Sequence, residues 1–279
     1  MVYKIQDSYI NKVTLFMDEF MKENKNSLNK NMTEEECLYL LKDFADDHYD
    51  NGKKKTRKLT HKIISHSIRV LENLKLILCN LASHGYKFNI NELNSMYIAA
   101  IFHDVGKIIT ENTSIKNKDH NIISYLIVKY LLDLDSGIKN YNKNSILEMI
   151  FMHSNKKKKR DKISIYTKII RDADLFDERC GDSLFDLLRD LTICENTNLN
   201  SYNSEAVDLF IKQINSSSSL SYINERINVK LNKDLYQREL KRAMNKYYEY
   251  LDKPKVKTFM EDLHNEIFKD QYLYINIEI

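Results

Sequence analysis

Five glycines and one proline in 279 residues leave this chain almost without the residues that turn a backbone sharply. A β-sandwich or a doubly wound sheet spends glycine at its tight turns, so most such designs are out of reach. Helices joined by polar loops need far fewer of them. The expected fold class is therefore all-α. Hydrophobic residues at 43% and charged residues at 30% suit a folded, water-soluble chain and are too apolar for a disordered one. The length suffices for one large domain with appendages and a sizeable core.

Charge excludes more than it suggests. With 43 basic and 40 acidic residues the formal charge is +3, so no global attraction to nucleic acid or an anionic membrane is expected. The cysteines at 37, 79, 180 and 194 form no CxxC pair and no dense framework, which reads as reduced, mostly packed thiols of a cytoplasmic protein. The first residues, MVYKIQDSYINK, lack the apolar run of a secretory signal. No stretch approaches the ~18 uncharged apolar residues of a membrane span, so no membrane partner is expected.

Apolar residues recur at helical spacing nearly throughout. Tyr9, Val13, Phe16, Met17 and Phe20 make one face of a first helix, and Cys37, Leu40, Leu41, Phe44 and Ala45 a face of the second, with Thr33 and Glu36 as a capping box. A polar linker over 46–58, holding Gly52, precedes a long helix over 60–83 with Ile64, Ile68, Leu71, Leu74, Leu78 and Leu81, closed by Gly85. Further helices are expected near 91–103, 118–133, 145–153, 164–177 and 183–194. After an Asn-rich loop over 195–204, more follow near 205–215, 234–251 and 257–268, the last two parted by Pro254. The organisation expected is an N-terminal helical extension over 1–55, a core over 56–195, and a C-terminal helical segment over 196–279 packed on that core. Leu235, Leu240, Met244, Tyr247 and Leu251 form its apolar stripe.

Of the eight histidines, four sit beside apolar residues near the ends of expected helices: His66, His103, His120 and His153. Imidazole and carboxylate are the N and O ligands of Mn, Fe, Zn or Ni. Neighbours on a helix point about 100° apart, so His103 and Asp104 cannot share an ion in mid-helix. At a helix end, where Gly106 lets the chain turn, both can face one cleft. Asp104 has two oxygens and so can bridge two ions.

These residues resemble the HD-domain metal-dependent phosphohydrolase superfamily. The resemblance runs through His66 in SHSIRV, His103 and Asp104 in HDVGK, and Asp174 in RDADLFD, in the family's order, over roughly 60–190. His120 in DHNIIS and His153 in IFMHSN fall where binuclear members place extra histidines. The resemblance implies a helical HD core with flanking N- and C-terminal helices. It implies one divalent ion among His66, His103, Asp104 and Asp174, and a second held by His120 and His153 with Asp104 bridging. A mononuclear version leaves His120 and His153 incidental. Fe or Mn are the ions expected, with Mg, Ni or Zn also compatible. Asp172 is the alternative to Asp174; the two lie about 200° apart on a helix, so only one faces the ion. The Ala-Asp-x-Leu-like context of the family favours Asp174. No GYP motif follows His153, which sets the chain apart from the cyclic-di-GMP phosphodiesterase branch bearing that signature.

The activity so implied is hydrolysis of a phosphate ester, nucleotide-like, by a hydroxide shared between two ions. Asp104 would steer that hydroxide. Lys107, one turn on, would neutralise a phosphate oxygen as a catalytic and substrate-binding residue, or else pair with a carboxylate such as Asp177. Neither GxSxG nor a Walker A pattern is present. Arg69 reads better as a structural ion-pair partner. The basic run 156–160 is either a solvated loop or a collector of polyanionic substrate. Tyr125, Tyr141 and Tyr166 could stack a base, though tyrosines at such spacings belong more often to a core. Two other readings keep the fold. One is a di-iron oxygenase, and the other a non-catalytic module that senses a nucleotide or holds a partner. The intact ligand set argues against the second, because unused buried histidine and aspartate carry a desolvation penalty.

Overall fold

The computed structural model describes residues 7–24, 32–47, 54–110, 119–134, 140–154, 163–180 and 220–250. Among them there is no strand. The helices are α1 (Asp7–Asn24), α2 (Glu34–Asp47), α3 (Lys54–Ser83), α4 (Ile90–Phe102), α5 (Gly106–Thr110), α6 (His120–Leu134), α7 (Lys143–Met152), α8 (Ile165–Cys180), α9 (Leu220–Arg226) and α10 (Asn232–Tyr250). None is long and apolar enough to cross a membrane.

Local chemistry explains where several of these helices begin and end. The α2 capping box is in place: Thr33 Oγ1 accepts from Glu36 N at 3.3 Å, and the Glu36 carboxylate accepts from Thr33 N at 3.2 Å. Asn89 and Glu92 make the same reciprocal pair ahead of α4, at 3.0 and 2.8 Å. Asn142 caps α7 by accepting from Ser145 N. Gly85 closes α3 at φ 87°, with Gly85 N donating to Ala82 O and Tyr86 N to Leu81 O, the paired bonds of a Schellman motif.

The chain divides into two compact units, Met1–Asp174 and Leu175–Ile279. In the first, α4 is surrounded by α2, α3 and α7, while α6 packs on α1, α5 and α7. Met96, Ile98, Ala99, Ala100, Ile101 and Phe102 of α4 are all buried, which is why that helix reads as nearly continuous apolar sequence rather than as a stripe. Val13 and Met17 seat α1, and Tyr9 and Tyr130 add hydrogen bonds to Asp119 and Asp18 between α1 and the α6 region. In the second unit the Phe176 and Tyr236 rings meet edge to face at 5.3 Å, with Leu235 and Leu240 also buried.

Several details differ from the sequence reading, among them the short helices α5 and α9, which it did not expect. Helix α3 begins at Lys54, inside the stretch expected to be linker. Its buried line passes through Ile63, Ser67 and Val70, with Ile64 and Ile68 only half-buried, because the neighbouring face carries His66 towards the site. Gly106 starts the short helix α5 without a positive φ, so its small size rather than its backbone freedom is what counts. Cys37, Cys79 and Cys180 are free thiols, and burial pushes the Cys180 thiol well up. The helices expected at 183–194, 205–215 and 257–268, the loop 195–204, Gly52, Cys194, Leu251, Pro254 and the basic run 156–160 lie outside the described residues. So do the side chains of Phe20, Phe44, Ala45, Met244 and Tyr247.

Candidate metal centre

Five helix segments of the first unit deliver six ligand-type side chains to one place. His66 projects from within α3 rather than from near its end. His103 and His153 are the C-cap residues of α4 and α7, and Asp104 follows in the turn before α5. His120 is the first residue of α6, and Asp174 lies in α8. The C-cap positions matter chemically. His103 Nδ1 lies 2.8 Å from Ala100 O and His153 Nδ1 2.6 Å from Ile150 O, so each ring donates to a carbonyl its own helix leaves open. That bond fixes the tautomer and leaves each Nε2 lone pair free to bind an ion.

The donors fall into two groups, His66–His103–Asp174 and Asp104–His120–His153. In the first, His66 Nε2 is 3.2 Å from His103 Nε2 and 3.2 Å from Asp174 Oδ1, and His103 Nε2 is 3.7 Å from that oxygen. In the second, His120 Nε2 is 3.2 Å from His153 Nε2, and these atoms stand 3.2 and 3.4 Å from Asp104 Oδ1. Asp104 Oδ2 turns the other way, 3.3 Å from His66 Nε2 and 3.6 Å from His103 Nε2. One carboxylate therefore faces both groups, an oxygen to each.

These separations fit shared ions. Ligands about 2.0–2.2 Å from one centre stand roughly 3.0–3.6 Å apart at tetrahedral or octahedral angles. The donor chemistry agrees, because imidazole nitrogens and carboxylate oxygens converging at such distances are the mixed donors that a divalent ion takes. The two carboxyls respond to this surrounding. Burial pushes the Asp104 carboxyl up, but the neighbouring His103, His153, His66 and Lys107 outweigh burial and hold it well below the usual carboxylate range. At Asp174 burial again opposes, and the neighbouring His103 and His66 prevail, so that carboxyl is lowered too.

Exposure gives the centre a direction. The side chains of His103, Asp104 and His153 are at most 3% exposed, whereas His66, His120 and Asp174 reach 15%, 13% and 21%. One side of the cluster thus meets solvent, which suits an ion with an open coordination position better than a closed structural one. Lys107 stands at this rim, hydrogen-bonded to Asp104 Oδ2. Asp172, the alternative ligand, is fully buried and belongs to neither group. Two tyrosines considered as base stackers are engaged otherwise: Tyr141 is buried, and Tyr166 donates to Glu92 Oε1 at 2.6 Å. Tyr125 meets the Phe151 ring edge-on.

Sequence reasoning missed the bonds that hold the ligand helices together. Asn121, next to His120, donates to Phe151 O at 2.7 Å. Asn73 on α3 reaches Ala173 O at 3.4 Å, beside Asp174. Arg171 donates to Met152 O through Nε and Nη2, at 3.1 and 2.5 Å. Their only signal in the sequence was proximity to a ligand, since each grips a backbone carbonyl.

Helices that bring together two histidine–carboxylate groups sharing one aspartate have the donor arrangement of a His-Asp metal centre. Residues 63–179 match the family model described as HD domain, and this part of the chain is an HD domain. That domain characterises a superfamily of metal-dependent phosphohydrolases that act on phosphate esters. No curated protein and no solved structure matches the chain.

Because histidine binds an ion only when unprotonated, acid should strip the centre. An imidazole ordinarily takes a proton near pH ~6.5, whereas the two depressed carboxyls remain charged far below that. Metal retained after dialysis should hence be full at pH 7.5 and fall as the pH is lowered towards about 5. Retention undiminished at pH 5 would mean that histidine is not what holds the ion.

Proposed function

We propose that this protein is a two-metal phosphohydrolase or phosphodiesterase that hydrolyses a small, nucleotide-like phosphate ester. The observation that carries the reading is the division of Asp104, one oxygen towards His66 and His103 and the other towards His120 and His153. Divalent ions held by these residues and Asp174 would supply an acidified water and neutralise charge on the phosphoryl oxygens. Fe or Mn suit the mixed imidazole and carboxylate donors.

The protein's own contribution is positional and electrostatic. His103 and His153 are locked by their Nδ1 bonds and barely exposed, so they form the floor of the centre. His66, His120 and Asp174 form its open side, where a phosphate ester has access. The Lys107 ammonium is within reach of that opening, and releasing Asp104 would free it to meet a phosphate oxygen. Lys107→Met is therefore expected to retain bound metal while kcat/KM falls about 10–100-fold, a loss of ~1.4–2.8 kcal/mol in transition-state stabilisation. Unchanged kcat/KM would reduce Lys107 to a partner of Asp104.

The direct test is a panel of phosphomonoesters and phosphodiesters, nucleotides included, assayed with protein stripped of metal and reloaded with Mn or Fe. Metal-dependent phosphate release, absent from Asp104→Asn, supports the reading. Oxygen consumption with iron that manganese cannot replace would point to the oxygenase instead. Metal binding without turnover of any ester would leave a sensing or interaction module.

A further inference from the structure

Helix α7 ends at Met152 and leaves its last carbonyls without intrahelical donors. Three successive ones are taken by side chains. Ile150 O is held by His153 Nδ1 at 2.6 Å, Phe151 O by Asn121 Nδ2 at 2.7 Å, and Met152 O by Arg171 Nε and Nη2 at 3.1 and 2.5 Å. Each of these side chains is a candidate ligand or close to one in sequence: His153 itself, Asn121 beside His120, and Arg171 three residues before Asp174. On a helix, three residues is about one turn, so Arg171 and Asp174 lie on neighbouring parts of the α8 surface.

Arg171 consequently joins the two donor groups. Asp174 belongs to the group with His66 and His103, and Met152 immediately precedes His153 of the other. A guanidinium at the C-terminal end of a helix also meets the negative end of its dipole, and its two forked donors converge on one oxygen. Few side chains could replace both the charge and the fork.

We propose that Arg171 is a positioning residue that fixes the end of α7 against α8 and so sets the spacing between the two metal positions. The inference rests on the two-ion reading above. Its consequence is selective. His66, His103, Asp104 and Asp174 remain in place without Arg171, whereas His153 loses its anchor to α8. The ion at His120 and His153 is the one that weakens.

The test uses the full chain stripped of metal, with Mn²⁺ as the probe. Binding is followed by calorimetry, and paramagnetic resonance reads the coupling between two bound Mn²⁺ ions. Wild type should bind two ions and give a coupled signal. Arg171→Gln should keep the first ion within about threefold and bind the second ~10–100-fold more weakly, the usual effect of removing a group that orients a ligand. At Mn²⁺ concentrations that fill both positions, its coupled signal should be altered. Arg171→Lys, which keeps the cation without the fork, should fall between the two, and it carries the test if the glutamine variant does not fold. Two ions of wild-type affinity with an unchanged coupled signal in Arg171→Lys and Arg171→Gln would overturn the proposal and leave the two-ion reading intact. Equal weakening of both ions would overturn it as well, since Arg171 would then be a general support of the fold. Fewer than two ions in wild type would defeat the two-ion reading, and this inference with it.

Discussion

Asp104→Asn is expected to deprive the protein of stable binding of both ions and to lower any phosphohydrolase rate by at least ~10³-fold, about 4 kcal/mol of barrier. The asparagine amide has nearly the same shape but no charge, and its nitrogen cannot bind a cation. Asp104 reaches the histidines of both groups, at 3.2 and 3.4 Å through Oδ1 and 3.3 and 3.6 Å through Oδ2. By contrast, His120→Ala removes a donor from one group only and should leave about one ion. The contrast can be read by elemental analysis, without knowing the substrate. It carries its own control for folding, because wild type and variants can be compared by circular dichroism in chelator. Equal metal content in Asp104→Asn and wild type would show that the aspartate bridges nothing.

The second large effect concerns Gly106→Ala. A Cβ at this position would overlap the His120 carbonyl oxygen and lie 2.6 Å from Ser124 N, both of them backbone atoms of the α6 region. Neither can rotate aside, so α5 and α6 would have to separate. The bond from Gly106 N to Ser124 Oγ, 2.8 Å long, would be strained by the same shift. Overpacking of this kind destabilises by about 1–3 kcal/mol or more. In a chain of this size 3 kcal/mol corresponds to a Tm lowered by roughly 6–12 °C. Because α6 begins with His120, the second ion should be lost along with the stability. A Tm within 2 °C or so of wild type, with metal content unchanged, would mean that the α5–α6 contact is looser than described.

Much of the fold was legible in the sequence, and for physical reasons. With so little glycine and proline the chain had few alternatives to helix, and apolar spacing placed α4, α6, α7, α8 and α10 within a few residues of their observed limits, while the short α5 and α9 went unexpected. Capping chemistry was readable where it is local, as at Thr33–Glu36 and Gly85. The start of α3 was not, because a run of lysines carries no apolar stripe to signal a helix. Likewise the rotation of its buried line to Ile63, Ser67 and Val70 depends on which neighbours pack there, which spacing alone does not encode.

The candidate site was legible in kind and less so in arrangement. Residue type and motif order singled out the four histidines and the aspartates, because ligand chemistry is a property of individual side chains. Which oxygen of Asp104 faces which histidine depends on tertiary packing. The choice between Asp172 and Asp174 was already favoured by motif context, and Asp174 is the one grouped with His66 and His103. Gly106 was noticed as a helix breaker, yet its place in the structure is that of a small residue at a close approach. Arg171 gave no signal beyond its proximity to Asp174, since a side chain that binds a backbone carbonyl has no partner residue to pair with in the sequence.

The most direct measurement is the metal content of the full chain, purified without chelator or a metal-binding tag and read by elemental mass spectrometry. Close to two equivalents of Fe or Mn per chain are expected, dropping to about one in His120→Ala or His153→Ala. A chain that takes up no metal, even after reloading with Mn or Fe, would contradict that expectation.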